Sequence, residues 1–267
     1  MKLLIKIVLW TLFTGGIIYL LVKVEQDRQQ ISLQEPDVSI HVKSEHGFLN
    51  EDEIKMKLSR KGLFRPNMKV EDLNLQAMEE YLESISHVKT VDICMGLNGS
   101  WNIDLELREP IVRVFNKFGE TYYLDEDGEY MDRTTTHTAR IPVATGFIVE
   151  RSNGIRVPQI INNDTLISIL KLDDIYWISN YVCNDPLFQS LIGQIQVEKN
   201  GDLLLIPLVG DHVINFGSAN SKSEVGKKFE KLKVFYKEAI PYEGWRKYEE
   251  ISLKYEGQIV CKKKRTI

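Results

Sequence analysis

The 267-residue sequence lacks the features that mark several protein classes. It has only 3 cysteines, Cys94, Cys183 and Cys261, too few and too scattered for a disulfide framework or a C-x-x-C zinc site. Outside the cytoplasm an odd number leaves at least one thiol unpaired within a monomer. It has no excess of basic residues, with 34 Lys+Arg against 38 Asp+Glu and a formal net charge of -4. That balance argues against a nucleic-acid binder, which concentrates Lys and Arg on one face. No G-x-S-x-G, P-loop or G-x-G-x-x-G is present. The five histidines, His41, His46, His87, His137 and His212, form no H-E-x-x-H and no i, i+4 pair. No collagen-like, mucin-like or wholly disordered composition is present either, because 43% of the chain is hydrophobic and 27% charged. No small-molecule substrate, cofactor or metal is expected.

What the chain does have is an apolar start. Leu3 to Val22 reads LLIKIVLWTLFTGGIIYLLV, with Lys6 its only charge. About 20 helical residues at 1.5 Å each cross a bilayer core of roughly 30 Å. A transmembrane helix is therefore expected at 3–22, with a short tail at 1–6 and anchoring residues Ile7, Trp10, Phe13, Ile17, Leu20 and Val22. A cleaved signal peptide is the rival reading, but no small-x-small site follows Val22. Lys2 and Lys6 on one side balance Lys23 and Arg28 on the other, so charge alone does not orient the span. A polar linker at 23–35 ends before Pro36.

An alternating strand, Val38/Ile40/Val42, opens the next segment. A helix capped at Asn50 and ended by Gly62 follows, then a second with Met78, Tyr81, Leu82 and Ile85 on one face. Two strands close the module, Val91/Ile93/Met95 and Ile103/Leu105/Leu107. A three-residue loop Asn98-Gly99-Ser100 pairs Met95 with Ile103, Ile93 with Leu105 and Val91 with Leu107, with Leu97 and Trp101 closing that face. A two-residue Asn-Gly loop would set apolar against polar residues.

Beyond it, Arg108-Glu109 reads as an exposed pair at a strand end, and Pro110 as a boundary. Asp125-Glu126-Asp127-Gly128 lacks the ligand spacing of a calcium loop and reads as a hairpin turn. Asp164 caps a helical stretch to about Val182, and strands follow at 192–197, 203–207 and 212–216. Ser221 and Glu224 form a capping box for a helix with Val225, Phe229, Leu232 and Tyr236 in its stripe. The chain closes with Ile251, Leu253 and Tyr255, then Gly257, Ile259, Val260 and Cys261, and finally the basic run Lys262–Arg265. Lysines there blunt an exposed sheet edge, or else meet a charged partner.

The order β-α-α-β-β after an anchor looks like a POTRA module. Leu107-Arg108-Glu109-Pro110, the aromatic strand running into Asp125-Glu126-Asp127-Gly128, and Pro142-Val143-Ala144-Thr145-Gly146 follow it in sequence. Taken in that order, the chain resembles the FtsQ/DivIB family of bacterial cell-division proteins. The resemblance implies an α+β fold: an N-terminal transmembrane helix, a small βααββ POTRA module at 36–109, and a larger mixed β-sheet domain with flanking helices at 110–267. It implies a single span in the cytoplasmic membrane, the N-terminus inside, the bulk outside, and enrichment at the division septum. It also implies partners: FtsB-like and FtsL-like single-span proteins, with FtsK and the FtsW/FtsI pair as further contacts. The expected function is non-enzymatic docking by strand addition at a C-terminal sheet edge. Ile251, Leu253, Tyr255, Gly257, Ile259 and Val260 are the expected partner-binding residues, although Tyr255 and Val260 can equally serve the sheet's own core. Two rivals stand beside it: an envelope-biogenesis or secretion component carrying a POTRA, and a cell-wall enzyme of S-x-x-K type. Ser86-x-x-Lys89, Ser168-x-x-Lys171 and Ser218-Ala219-Asn220 match that enzyme's short motifs, but its K-[ST]-G strand is missing.

Overall fold

A computed structural model describes residues 2–43, 47–96, 98–134, 138–152, 154 and 156–264. The side chains of residues 2–5 and 8 also lie outside the description. The chain divides into two compact units, Met1–Leu107 and Arg108–Ile267.

The first unit opens with α1, Lys2–Gln29. Its side chains Ile7, Trp10, Phe13, Ile17, Leu20 and Val22 are 42% to 67% exposed. Among the described residues, no helix is long and apolar enough to cross a membrane. The expected span at 3–22 lies within α1, which runs on to Gln29 through the first part of the expected 23–35 linker; the side chains of Leu3, Leu4, Ile5 and Val8 are not described. Part of the expected linker is ordered: Leu33 donates its N–H to the Met68 carbonyl at 2.7 Å, and Trp101 donates its indole N–H to the Gln34 carbonyl at 2.8 Å.

Downstream come β1 (Asp37–His41), α2 (Glu51–Arg60), α3 (Leu75–Glu83), β2 (Val88–Met95) and β3 (Trp101–Leu107). Asn50 caps α2 by accepting the Glu53 N–H at 2.8 Å, and Asn74 caps α3 by accepting that of Ala77. β3 is central, parallel to β1 and antiparallel to β2. The core joins Ile54 and Leu58 of α2 and Met78 and Leu82 of α3 to Val38, Ile93, Ile103, Leu105 and Leu107.

The hairpin register differs from expectation. Met95 faces Trp101, Ile93 faces Ile103 and Val91 faces Leu105, a slip of two residues along β3. An even slip keeps apolar residues on one face, so packing alone does not choose between the two registers. The turn decides. The Asn98 side chain accepts from the Ser100 N–H and hydroxyl, and Gly99 takes φ +77. Gly96 then pairs with Ser100, which moves the loop back by one residue. Leu97 lies outside the described residues.

The second unit carries β4 (Pro110–Phe115), β5 (Thr121–Asp125), β6 (Tyr130–Met131), β7 (Val143–Gly146), α4 (Val157–Ile161), α5 (Asp164–Ile169), α6 (Leu172–Asn184) and α7 (Pro186–Leu191). After these come β8 (Ile192–Val197), β9 (Leu203–Pro207), β10 (Val213–Gly217), α8 (Lys222–Glu238), α9 (Ile240–Glu243), β11 (Tyr248–Ser252) and β12 (Val260–Lys263). The strands form one mixed sheet in the order β12-β11-β10-β9-β8-β7-β4-β5-β6. Its core is a cluster from both sheet and helices, including Ile195, Leu205, Phe216 and Ile251 with Ile178, Phe188, Phe229 and Leu232.

Two buried carboxylates organise this unit. Asp125, fully buried, accepts from Arg108 at 2.7 Å and from the backbone N–H groups of Asp127 and Glu129. The expected exposed pair Arg108-Glu109 is thus corrected: Arg108 is held inward because Asp125 would otherwise be a buried, unpaired charge. Glu150, 7% exposed, caps α6 from outside the helix. One of its oxygens accepts from the Lys171 and Leu172 N–H groups at 2.5 and 2.9 Å, the other from Val149 at 2.9 Å. The single helix expected from Asp164 to Val182 is therefore two. Asn163, not Asp164, caps α5, and the chain breaks at Leu170 to present its free N–H groups to Glu150.

Glu150→Ala should cost about 2–3 kcal/mol, the loss of a cap plus orphaned N–H groups, with Glu150→Gln recovering part of it. Urea unfolding followed by Trp177 fluorescence, with Trp10, Trp101 and Trp245 replaced by Phe in each protein compared, reads this directly. Asp173, in the first turn of α6, is 1% exposed, and burial with the neighbouring Asp174 charge pushes its carboxyl up to about 6. The folded state then holds the proton more tightly than the unfolded chain, so this contribution to stability falls as pH rises from about 4 to about 6. Asp173→Asn should gain on the wild type across that window by at most roughly 3 kcal/mol, read as a difference between pH-dependent melting curves.

Candidate functional site

The C-terminal edge of the large sheet is assembled from three segments. α8 packs its Val225, Phe229, Leu232 and Tyr236 stripe into the core. Ser221 caps it by accepting the Glu224 N–H at 3.2 Å. The Glu224 carboxylate turns instead to the Ser218 hydroxyl at 2.6 Å, the Asn220 N–H at 3.2 Å and the Lys228 ammonium at 2.6 Å. Burial pushes the Glu224 carboxyl up, but hydrogen bonds from Lys228 and Ser218 and the Lys228 charge outweigh it and hold the group below its ordinary value.

α8 returns the chain to β11, parallel to β10, and β12 then pairs antiparallel with β11. Ile251 faces Cys261 and Ser252 faces Val260, while a bulge lies between Tyr248 and Glu250. Gly257 turns the connecting loop at φ +72, a conformation strained for any side chain. β12 is the terminal strand, so one side of its backbone pairs with β11 and the other ends the sheet.

The expected partner-binding residues separate into two groups here. Ile251 and Leu253 are fully buried and build the core. Tyr255 and Val260 are 53% and 44% exposed, and Gly257 and half-buried Ile259 lie beside them. Gly257, Gln258 and Ile259 also line an open groove of about 570 Å³ against Val234 and Phe235 of α8 and Ala239 just after it. Val234 was absent from the sequence reading, although its signal is visible: an apolar residue off the buried stripe, 59% exposed.

Ion pairs fasten the edge. Lys262 meets Glu249 at 3.1 Å and Lys264 meets Asp211 at 2.9 Å, and the Lys264 N–H donates to the Lys247 carbonyl. Arg265 lies outside the described residues. Next to Asp211, His212 is 2% exposed, shares a 2.7 Å hydrogen bond with the Tyr236 hydroxyl, and stacks on Trp245. Burial lowers the His212 pKa and raises that of Tyr236.

The short enzyme motifs are accounted for differently. Ser168 donates to the Thr165 carbonyl, and Lys171 is paired with Asp174 at 2.8 Å. Ser218 donates to Glu224, and the nearby Lys228 spends its donors on that carboxylate and on the carbonyls of Phe216 and Ser218. Among the described residues, no group of three or more His, Cys, Asp or Glu is placed to hold a metal. Cys94, Cys183 and Cys261 are free thiols, and burial pushes Cys183 up to about 11.

A histidine whose folded pKa is lowered contributes stability above its unfolded value near 6.5 and loses it as pH falls below. His212→Asn should therefore flatten the acid limb of the melting curve between about pH 7 and pH 5. An acid limb identical in both proteins would refute that assignment.

Comparison with known protein families matches residues 34–106 to a POTRA-like domain and residues 109–262 to the family described as FtsQ/DivIB, C-terminal related. No curated protein matches the chain. These two domains fit a cell-division scaffold role. The second match covers more than half of the sequence and runs from before β4 into β12, so the chain belongs to the FtsQ/DivIB C-terminal-related family.

Proposed function

We propose that this chain is a non-enzymatic, membrane-anchored scaffold of the bacterial division machinery, docking partner proteins by strand addition at β12. The observation that carries the reading is the position of β12 at the end of the nine-stranded sheet, beside the α8 groove. A strand laid against β12 gains main-chain hydrogen bonds, and apolar side chains in the groove supply selectivity. FtsB-like and FtsL-like proteins are the partners this reading names, with FtsK and FtsW/FtsI as further contacts. The charge of the region fits acidic partner segments. Residues 222–267 hold thirteen Lys and Arg against seven Asp and Glu.

The anchor in this reading is α1. Its exposed apolar side chains lie at successive positions around the helix, including Leu9, Trp10, Leu12 and Phe13, and Ile17 through Val22. A helix apolar on all sides fits a lipid surround rather than one protein face. Sharing a bilayer with its partners raises effective concentration, so modest pairwise affinity suffices. The family placement favours the soluble units outside the cytoplasm and enrichment at the septum.

Truncation after Glu256 should leave a folded, membrane-associated protein that no longer retains an FtsB-like partner in pull-down. Val260→Glu in the full chain should weaken the same capture by roughly tenfold. Full capture by both proteins would overturn the edge reading. Alkaline extraction tests the anchor independently: the full chain should stay with membranes, and a chain lacking residues 2–24 should be released.

A further inference from the structure

Away from β12, three neighbouring parallel strands end together. β4, β7 and β8 run in the same direction, with Val114 paired to Ala144 and Gly146 to Val197. Their carboxyl ends therefore share one rim, which is where ligands bind in many open sheets with parallel strands. Between this rim and β12 lie β9, β10 and β11.

The rim carries an alternating row of cations and exposed rings. The Arg151 guanidinium lies 4.5 Å from the Phe118 ring centroid, and the Lys117 ammonium lies 5.1 Å from Phe118 and 4.9 Å from Phe147. Phe118 and Phe147 are 49% and 44% exposed. Beside Phe147 a trough of about 610 Å³ runs past Gln196, Glu198, Lys199 and Asn200. Arg151 shares its charge with Glu120 at 3.5 Å, whereas Lys117 and Lys199 have no carboxylate partner among the described residues.

The row is held rigidly from below. Asn116, 6% exposed, accepts the Phe118 and Glu120 N–H groups at 3.0 and 2.9 Å and donates to the Glu150 carbonyl at 2.9 Å. Lys117 donates its N–H to the Ile148 carbonyl at 2.9 Å, and Gly119 closes the turn at φ +82. A loop whose buried side is fully bonded presents its outer side chains in one conformation, which lowers the entropic cost of binding. Phe118 of this loop, with Phe147 after β7 and Arg151 beyond it, gives the rim two exposed phenylalanines and an arginine, the composition of an interface centre.

We infer that this rim is a second docking surface, for an acidic protein segment that bears an apolar or aromatic side chain. Lys117, Arg151 and Lys199 outnumber Glu120 and Glu198 along this rim, an excess that selects a negatively charged segment, and the rings of Phe118 and Phe147 take its apolar side chain. The polar trough favours a peptide over acyl chains, because the exposed Gln196 amide can bond a peptide backbone. This site does not depend on strand addition at β12.

The test uses the full chain in phosphatidylcholine bilayers and a fluorescein-labelled peptide alternating Glu with Leu around one Phe, followed by anisotropy. Lys117→Glu with Arg151→Glu should weaken binding by at least roughly tenfold, as should replacing the peptide's Glu by Gln. Phe118→Ser with Phe147→Ser should weaken it comparably, and truncation after Glu256 should leave it unchanged. Equal affinity for the Gln peptide, or undiminished binding by the charge-reversed protein, would overturn the proposal. So would loss of binding on truncation, which would place the peptide at β12. A bilayer occupant is tested with an environment-sensitive dye on Phe118→Cys. A blue shift on adding phosphatidylglycerol would assign the face to lipid and refute the peptide reading.

Discussion

Most of what the second unit presents to its surroundings depends on one buried carboxylate. Glu150 stands where four segments meet. Its side chain terminates α6, and its carbonyl accepts from Asn116 and from the Tyr122 hydroxyl at 3.3 Å. A charged group this deep is tolerated only when fully bonded, and here the ligands are backbone N–H groups at a helix start, where the helix dipole favours negative charge. The same residue thereby fixes the break between α5 and α6, the position of β5, and the loop that holds Lys117 and Phe118 outward. The link from Asn116 to the rim runs through the Glu150 carbonyl, so the carboxylate acts on the rim only by holding this stretch of main chain in place.

Charge is divided along the second unit in a way the whole-chain balance conceals. Residues 108–221 hold nine basic and fifteen acidic side chains, and residues 222–267 reverse the excess. The boundary between the two coincides with the start of α8. Contacts such as Lys264 with Asp211, Lys254 with Asp202 and Lys233 with Asp185 join the basic C-terminal segments to the acidic body. Exposed pairs of this kind each contribute little to stability. Their collective effect is to set orientation, tying the basic segments around β11 and β12 to a body of opposite sign.

Local signals carried well from sequence to structure and remote ones did not. The N-cap at Asn50, the apolar face of α3, the stripe of α8 and the left-handed glycines at turns depend on neighbours within a few residues, so the sequence pattern holds them. The hairpin face was legible by alternation, but its register was not, because a shift of two preserves that alternation and only the Asn98–Ser100 hydrogen bonds distinguish the two. Arg108 reads as surface until Asp125, seventeen residues away, is seen to need it. Lys171 and Leu172 find their cap at Glu150, more than twenty residues distant. No periodicity encodes such a pairing. At the C-terminal edge the segment was legible and the division of labour within it was not: Ile251 and Leu253 alternate like Tyr255, but only the first two are buried in the core.

The two proposed docking surfaces differ in physical kind. At β12 recognition would rest on main-chain groups, which any extended segment can match, so selectivity would have to come from the adjoining groove and from lysines at the edge. At the rim of β4, β7 and β8 the backbone is already used within the sheet, so recognition there would rest on side chains. Three strands separate the two surfaces within one continuous core. Segments bound at the two would therefore not compete for the same hydrogen bonds. A strand added at β12 would extend the ladder through β11 and β10, whereas a segment seated at the rim would leave that ladder unchanged. Occupancy of one should accordingly alter the other only through the shared core, and a close-packed core with both carboxylate nodes satisfied has little freedom to transmit such a change.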